Sequence, residues 1–411
     1  MSFDLERRQF LAAAGGMAAL TLLPEELPAA PVLREPFKVG LIGGGKQGRN
    51  MITELAKFDG CKLVAICDTD PQRLTSAKGR AEGAEGFDSH KAMLDKMKDL
   101  SAVIIATPTH THAPIALDAI SAGKHVYCEA PLAHTIEDAK AIAKAAAGTK
   151  TVFAVGHEGR SNPVYGLARS FFKTDAFKDM VHMRAQFNQK TSWRLGASDP
   201  SREAMLNWRL DEKVSTGIMG EIGSHQLDVV HWYRGKYPTK VRGSGMIALH
   251  NDGRKLPDTI LAEFTFEDNA KFSYSATLAN SYEGKYEMFY GSNSAIKLAW
   301  SHAWMFKEAD APTQGWEVYA NRQQILNDVG ITLIADATQL ASQGKLKDGV
   351  GLPYSSLYYG LSDFIKSVVE GKAVATSAEE GMRTAIVSIL TNQAIASGSE
   401  VAIPADLLKG V

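Results

Sequence analysis

Phe37-Lys-Val-Gly-Leu-Ile42 runs into Gly43-Gly-Gly45-Lys46-Gln47-Gly48, a helically patterned stretch from Arg49 to Phe58, and Lys62-Leu-Val-Ala-Ile-Cys67 ending at Asp68. This is strand, glycine turn, helix, strand. Gly43 permits the tight turn, Gly45 lets the backbone approach a pyrophosphate, and Gly48 lets helix and strand pack closely, with the helix N-terminus turned towards the phosphates. Lys46 and Gln47 lie in the same turn and are counted among the cofactor contacts. Asp68, 20 residues beyond Gly48, is placed to accept hydrogen bonds from the adenosine ribose. A carboxylate there repels a 2′-phosphate, which favours NAD over NADP. A glycine turn that serves packing alone is the plainer alternative. The two strands, the helix and the acid in register weigh against it.

Two more strands end in loops, and the carboxyl ends of an open parallel sheet form its ligand crevice. Leu100 to Ala106 leads into Thr107-Pro108-Thr-His110-Thr-His112, and Lys124 to Cys128 leads into Glu129-Ala130-Pro131. Thr107, Pro108, His112 and Glu129 are therefore expected at the cofactor. His110 and His112 have the spacing of a metal pair, but no third ligand stands nearby, so no metal is expected. Contacts to ribose or nicotinamide, or simple loop capping, suit these histidines better.

At 411 residues the chain is long enough for two domains, each with its own core. Lys plus Arg number 45 against 46 for Asp plus Glu, so no basic field exists to hold nucleic acid or an anionic membrane. A small carbohydrate or glycoside suits this balance better than a polyanion. Cys61, Cys67 and Cys128 fall in or beside apolar strands and are read as core residues. The N-terminus differs in kind. Arg7-Arg8-Gln-Phe-Leu11 precedes the apolar stretch Ala12 to Leu23 and a Pro/Ala-rich loop, the pattern of a twin-arginine signal. The apolar stretch is about half of the roughly 20 residues that span a bilayer, so stable anchoring is not expected. Export to the periplasm or medium is.

The ordered motifs resemble the glucose-fructose oxidoreductase, inositol dehydrogenase and MocA (Gfo/Idh/MocA) family. They are the glycine turn, Ala106-Thr-Pro108, Glu129-x-Pro131, Gly156-His-Glu-Gly-Arg160 before Asn162-Pro163, and Glu221-x-x-x-His225. The resemblance implies a homo-oligomer with an α/β Rossmann domain and an α+β domain whose sheet is mostly antiparallel. The expected division is a signal and linker over 1–36, the NAD-binding domain over 37–155, and the substrate domain over 156–411. Met180 to Phe187, Thr259 to Phe266, Lys271 to Leu278 and Ala295 to Trp300 alternate at period two, as half-buried strands do. Asp268-Asn269 is the expected turn between two of them. Two C-terminal helices, about Ser356 to Glu370 and Ala378 to Ser397, are expected to return to the first domain.

Two departures from the resemblance bear on chemistry. Family dehydrogenases carry Glu-Lys-Pro, whose lysine reaches the reacting hydroxyl, and an Asp and a His four residues apart. Here the lysine position is Ala130, the Asp position is Glu221, and His225 is retained. A continuous helix would set Glu221, His225 and Asp228 on one face. His225 is the expected base and Glu221 its orienting or second acid-base group; the bland alternative is a satisfied helical histidine beside a helix-terminal carboxylate. Asp228, Arg160, Trp193, Trp208 and Arg209 are the expected substrate contacts, since tryptophan faces stack on sugar C–H surfaces and arginine forks bind hydroxyls or carboxylates. The tryptophans could equally anchor a long loop.

The expected activity is an NAD-dependent oxidoreductase acting on a secondary hydroxyl of a sugar or glycoside, with a bound, internally recycled cofactor. Family members that cleave glycosides through a transient oxidation also lack the lysine, which makes a redox-neutral glycosidase the alternative. A non-catalytic protein that binds cofactor or sugar is the alternative from another class.

Overall fold

The computed structural model describes residues 30–33, 35–197, 199–315, 317, 322–325, 328–333 and 352–410. The expected export signal, within residues 1–29, lies outside them.

Six parallel strands form the first sheet: β1 (Phe37–Ile42), β2 (Cys61–Cys67), β3 (Glu85–Phe87), β4 (Ala102–Ile105), β5 (His125–Cys128) and β6 (Phe153–Val155). Their order is β3-β2-β1-β4-β5-β6. Val103, Ile104 and Ile105 are fully buried, as apolar strands covered on both faces must be. The order reverses between β1 and β4, and at that switch point their C-terminal loops part to leave a crevice. Five helices cover the faces: α1 (Lys46–Leu55), α2 (Pro71–Lys78), α3 (His90–Lys96), α4 (His112–Ser121) and α5 (Ile136–Ala147). Asp70 starts α2 by accepting the amides of Gln72 and Arg73, with Pro71 in the first turn, where its missing N–H costs nothing.

The second sheet has ten strands in the order β14-β15-β13-β12-β11-β7-β10-β9-β8-β16. They are β7 (Met180–Asn188), β8 (Lys240–Met246), β9 (Thr259–Thr265), β10 (Lys271–Thr277), β11 (Lys285–Gly291), β12 (Ser294–Ala299), β13 (His302–Lys307), β14 (Arg322–Ile325), β15 (Asp328–Leu333) and β16 (Val401–Ala402). All neighbours pair antiparallel except β7 with β10. Asn269, at positive φ, turns the chain between β9 and β10. On β9, Ile260, Ala262 and Phe264 enter the core while Leu261 is exposed, the period-two signature of a sheet with one covered face.

Helices α6 (Pro163–Phe172), α7 (Ser224–Arg234), α8 (Ser356–Glu370) and α9 (Ala378–Ser397) complete the chain. Ser355 and Ser377 cap the last two by accepting amide N–H groups, and left-handed Gly371 and Gly398 end them. Helix α8 packs on α1, whereas α9 packs on both α5 and β8, so the C-terminal helices tie the two domains together. Cys61, Cys67 and Cys128 are unpaired, the latter two buried. Among the described residues no helix is long and apolar enough to cross a membrane.

Candidate active site

The turn after β1 is built for close approach. Gly43 has φ +106°, and a Cβ there would lie 2.4 Å from the Ala106 carbonyl oxygen. A Cβ on Gly48 would lie 1.9 Å from the Gly43 carbonyl oxygen, so only glycine lets α1 sit against the turn. Gly45 faces open space. No side chain caps α1 at Gly45, which leaves its first amides turned to that space. An anion such as a dinucleotide pyrophosphate fits this cradle. Asp68, half-buried at the end of β2, accepts Gly44 N at 2.7 Å and Asp70 N at 2.8 Å on different oxygens. Each oxygen keeps acceptor capacity for a ribose hydroxyl. Lys46 is exposed on the first turn of α1. Gln47 reaches the other way, donating to Glu129 Oε1 at 2.8 Å. Burial pushes Glu129 up to about 7.

In the second loop the Thr107 hydroxyl accepts from Thr111, and Pro108 opens the turn. The buried His112 ring lies between the main-chain carbonyls of Thr107 (2.9 Å from Nε2) and Pro131 (3.0 Å from Nδ1); burial lowers its pKa, so the neutral ring has one N–H and donates to one of them. This geometry suits the loop capping that the sequence left open beside cofactor contact.

Glu221 lies in a π-helical turn, Met219–Gly223, that leads into α7. Such wide turns leave main-chain geometry out of α register and concentrate at functional sites. The buried Glu221 carboxylate accepts Thr216 Oγ1 at 2.7 Å, Thr216 N at 3.2 Å and Thr109 Oγ1 at 3.1 Å, with Arg209 Nε 3.9 Å away. Burial pushes its pKa up, and Arg209 with these donors opposes the rise. His225 follows at the start of α7 and stands edge-on to His157, ring centroids 5.5 Å apart. Its Nδ1 is buried without a hydrogen bond. Burial, then the charge of Lys285, hold His225 well below the usual imidazole range, so it is neutral at pH 7. A neutral imidazole is able to accept a proton.

The predicted single polar face divides in three dimensions. Asp228, fully buried, is gripped by Arg160 through Nε at 2.9 Å and Nη2 at 2.7 Å, and Arg160 also bonds Glu380 at 3.0 Å. Both were expected to contact substrate; the structure pairs them with each other. They neutralise each other beneath the site, where a bidentate pair compensates two desolvated charges. Arg209 remains available: half its side chain is exposed, and its guanidinium lies 4.8 Å from the Trp208 ring and 5.8 Å from the Trp193 ring. The two tryptophans, Arg209 and Glu221 thus lie together.

Sequence reasoning missed Thr109, Thr216, His157, Glu158, Lys285 and Trp300. Glu158 and His157 lie inside the quoted Gly156–Arg160 motif, which was the available signal. Burial pushes Glu158 up to about 8, with the charge of Glu129 adding to it. Of these groups Glu158 and Trp300 line a cavity of about 560 Å³, together with Gln47 and the start of α8 near Tyr354. No cluster of metal-ligating side chains occurs among the described residues.

Fold and site together define a two-domain, dinucleotide-dependent oxidoreductase. The chain belongs to the Gfo/Idh/MocA oxidoreductase family: residues 37–157 match its NAD-binding Rossmann fold and residues 184–403 its C-terminal alpha/beta domain. NAD is therefore the cofactor, and the glycine cradle and Asp68 fit it. Levoglucosan dehydrogenase of Pseudarthrobacter phenanthrenivorans is 25% identical over 405 residues, covering 90% of this chain and 98% of the relative. A glycosyl hydrolase family 109 protein of Shewanella pealeana is 29% identical over 226 residues, about half of each chain. Among solved structures, a levoglucosan dehydrogenase complex with NADH and levoglucosan superposes with a TM-score of 0.71 at 23% identity, covering 90% of this chain and 99% of that one.

Proposed function

We propose that this protein oxidises a secondary hydroxyl of a sugar or glycoside, with NAD kept bound and recycled within the site. The observation that carries this reading is His225, a neutral imidazole with an unpartnered Nδ1 on the π-turned helix start that also presents Glu221. Bound NAD supplies the two-electron acceptor for the carbinol C–H and can return the same electrons. His225 takes the hydroxyl proton. Glu221, fixed by Thr109, Thr216 and Arg209, orients the hydroxyl-bearing carbon's neighbours through Arg209 and the Trp193–Trp208 wall. The 25% identity to a levoglucosan dehydrogenase across nearly the whole chain supports a sugar as substrate.

A second reading, redox-neutral glycoside cleavage, is favoured by Ala130 and by the half-length similarity to family 109 hydrolases. In that cycle a ring ketone acidifies the adjacent C–H, a base removes the proton, the aglycone leaves, water adds, and the ketone is reduced. The export signature at Arg7-Arg8 supports either closed cycle, because free NAD is not supplied outside the cytoplasm. We include twin-arginine export in the proposal; periplasmic delivery that survives Arg7→Lys/Arg8→Lys would refute it.

The deciding experiment follows bound-NADH absorbance in single turnovers with sugars and with aryl glycosides. NADH from free sugars indicates a dehydrogenase, and aglycone release without added cofactor indicates the hydrolase. His225→Ala should abolish either while sparing NAD content, since positioned acid-base catalysis contributes roughly 10²- to 10⁴-fold. Wild-type protein that retains NAD yet gives neither signal would establish the non-catalytic alternative.

A further inference from the structure

Lys285 is a half-buried cation beside the cavity-lining Trp300 that the catalytic scheme above leaves unused. It opens β11, on the strand face it shares with Glu287. Its Nζ lies 3.3 Å from the centre of the Trp300 ring, and Trp300 with Glu158 lines the 560 Å³ cavity. Gln226, the residue after His225, donates to the carbonyl of Tyr286, the residue after Lys285, at 3.0 Å, so the starts of α7 and β11 lie against each other. Among the described residues it forms no ion pair within 4 Å. Glu287 is instead satisfied by the Tyr165 hydroxyl at 2.7 Å. A half-buried ammonium resting on an aromatic face, with no carboxylate within 4 Å among the described residues, is set to receive negative charge from a ligand.

We propose that Lys285 supplies, from the second domain's sheet, the positive charge that the Glu129–Pro131 loop lacks at Ala130, and that it stabilises the substrate oxyanion during oxidation. This rests on the reading that the site oxidises a sugar hydroxyl. The substrate O–H bond breaks and its proton passes to His225. Negative charge stays on oxygen until the C–H electron pair departs to the cofactor and the carbonyl forms. Lys285 keeps its proton throughout and only compensates charge. Burial brings its pKa down to about 8, so the ammonium is charged at pH 7 and is lost on the alkaline side.

Lys285→Met and Lys285→Arg are compared with wild type as holoenzyme, with NAD content and thermal melting as folding controls. Single-turnover NADH formation should fall about 10²-fold in Lys285→Met, the usual cost of removing one oxyanion-stabilising group. The alkaline limb of the wild-type pH–rate profile should disappear with it. Lys285→Arg should keep part of the rate. Lys285→Met/Ala130→Lys, which returns a cation to the loop, should recover at least tenfold, whereas Ala130→Lys should not rescue His225→Ala. A readout independent of turnover is carbethoxylation of His225 in cofactor-free protein, followed by peptide mass spectrometry across pH. Loss of the Lys285 charge should raise its midpoint. Lys285→Met within threefold of an active wild type, or with an unmoved His225 midpoint, overturns the proposal alone. A wild type inert towards every sugar and glycoside overturns both it and the reading beneath it.

Discussion

Thr109 and Glu221 meet across the domain boundary, the threonine hydroxyl lying 3.1 Å from both carboxylate oxygens although the residues stand 112 apart in sequence. The contact pins the loop after β4, beside the cofactor cradle, to the π-turn that carries the acid. Thr109→Val should lower turnover and cost about 1–3 kcal/mol, because a buried carboxylate loses a donor and no water replaces it. Thr109→Ser should restore both. Denaturant unfolding and single-turnover rates on the three proteins check this; equal stability of the valine variant would contradict it.

Asp68→Ala should weaken NAD and improve NADP relative to it. The lost carboxylate both accepts from the ribose diol and repels a 2′-phosphate. It also orders the turn through Gly44 N and Asp70 N, so absolute affinity for both cofactors should drop. Calorimetric titration with each dinucleotide measures the ratio, and an unchanged ratio would remove Asp68 from the ribose site.

Asp228→Ala should destabilise the protein by about 1–3 kcal/mol, since the mostly buried Arg160 would lose its bidentate partner and keep only Glu380 at 3.0 Å. Substrate affinity per folded molecule should hardly change, because neither side chain of the pair faces the ligand. A variant that melts like wild type but shows a raised KM would reverse this assignment.

Glu158→Gln should change stability in a pH-dependent way. The folded carboxyl titrates near 8 against an ordinary 4.5, burial being the main cause. Between these values the folded state binds the proton that the unfolded state has lost. Wild-type stability from this group is therefore complete below about 4.5 and drains away as pH rises towards 8. Glutamine cannot titrate, so the variant should gain on wild type across that window. Urea midpoints of the cofactor-free proteins from pH 5 to 8 test the sign; parallel curves would show that Glu158 titrates normally.

The cofactor half of the molecule was legible in sequence because its determinants are local. Gly43, Gly45, Gly48 and Asp68 fall within one strand-turn-helix-strand unit, whose geometry is set by neighbouring residues and by where a Cβ fits. Four sheet strands and both C-terminal helices were equally readable from period and caps. Catalytic grouping was not. The expected face of Glu221, His225 and Asp228 presumed an unbroken α-helix. A π-turn and a partner 68 residues away redirected its members, with Arg160 claiming Asp228 and two threonines claiming Glu221.

His112 shows the same limit, since a loop histidine at a crevice reads as a ligand contact until two carbonyls are found on its ring. Lys285 had no local signal at all. Its meaning depends on Trp300, Glu158 and His225, which come from three other segments. By itself the sequence determined the class of fold and the cofactor, NAD. Only the tertiary structure decided which charges neutralise one another and which stay open to a substrate, because desolvation and pairing depend on distances through space that spacing along the chain does not record.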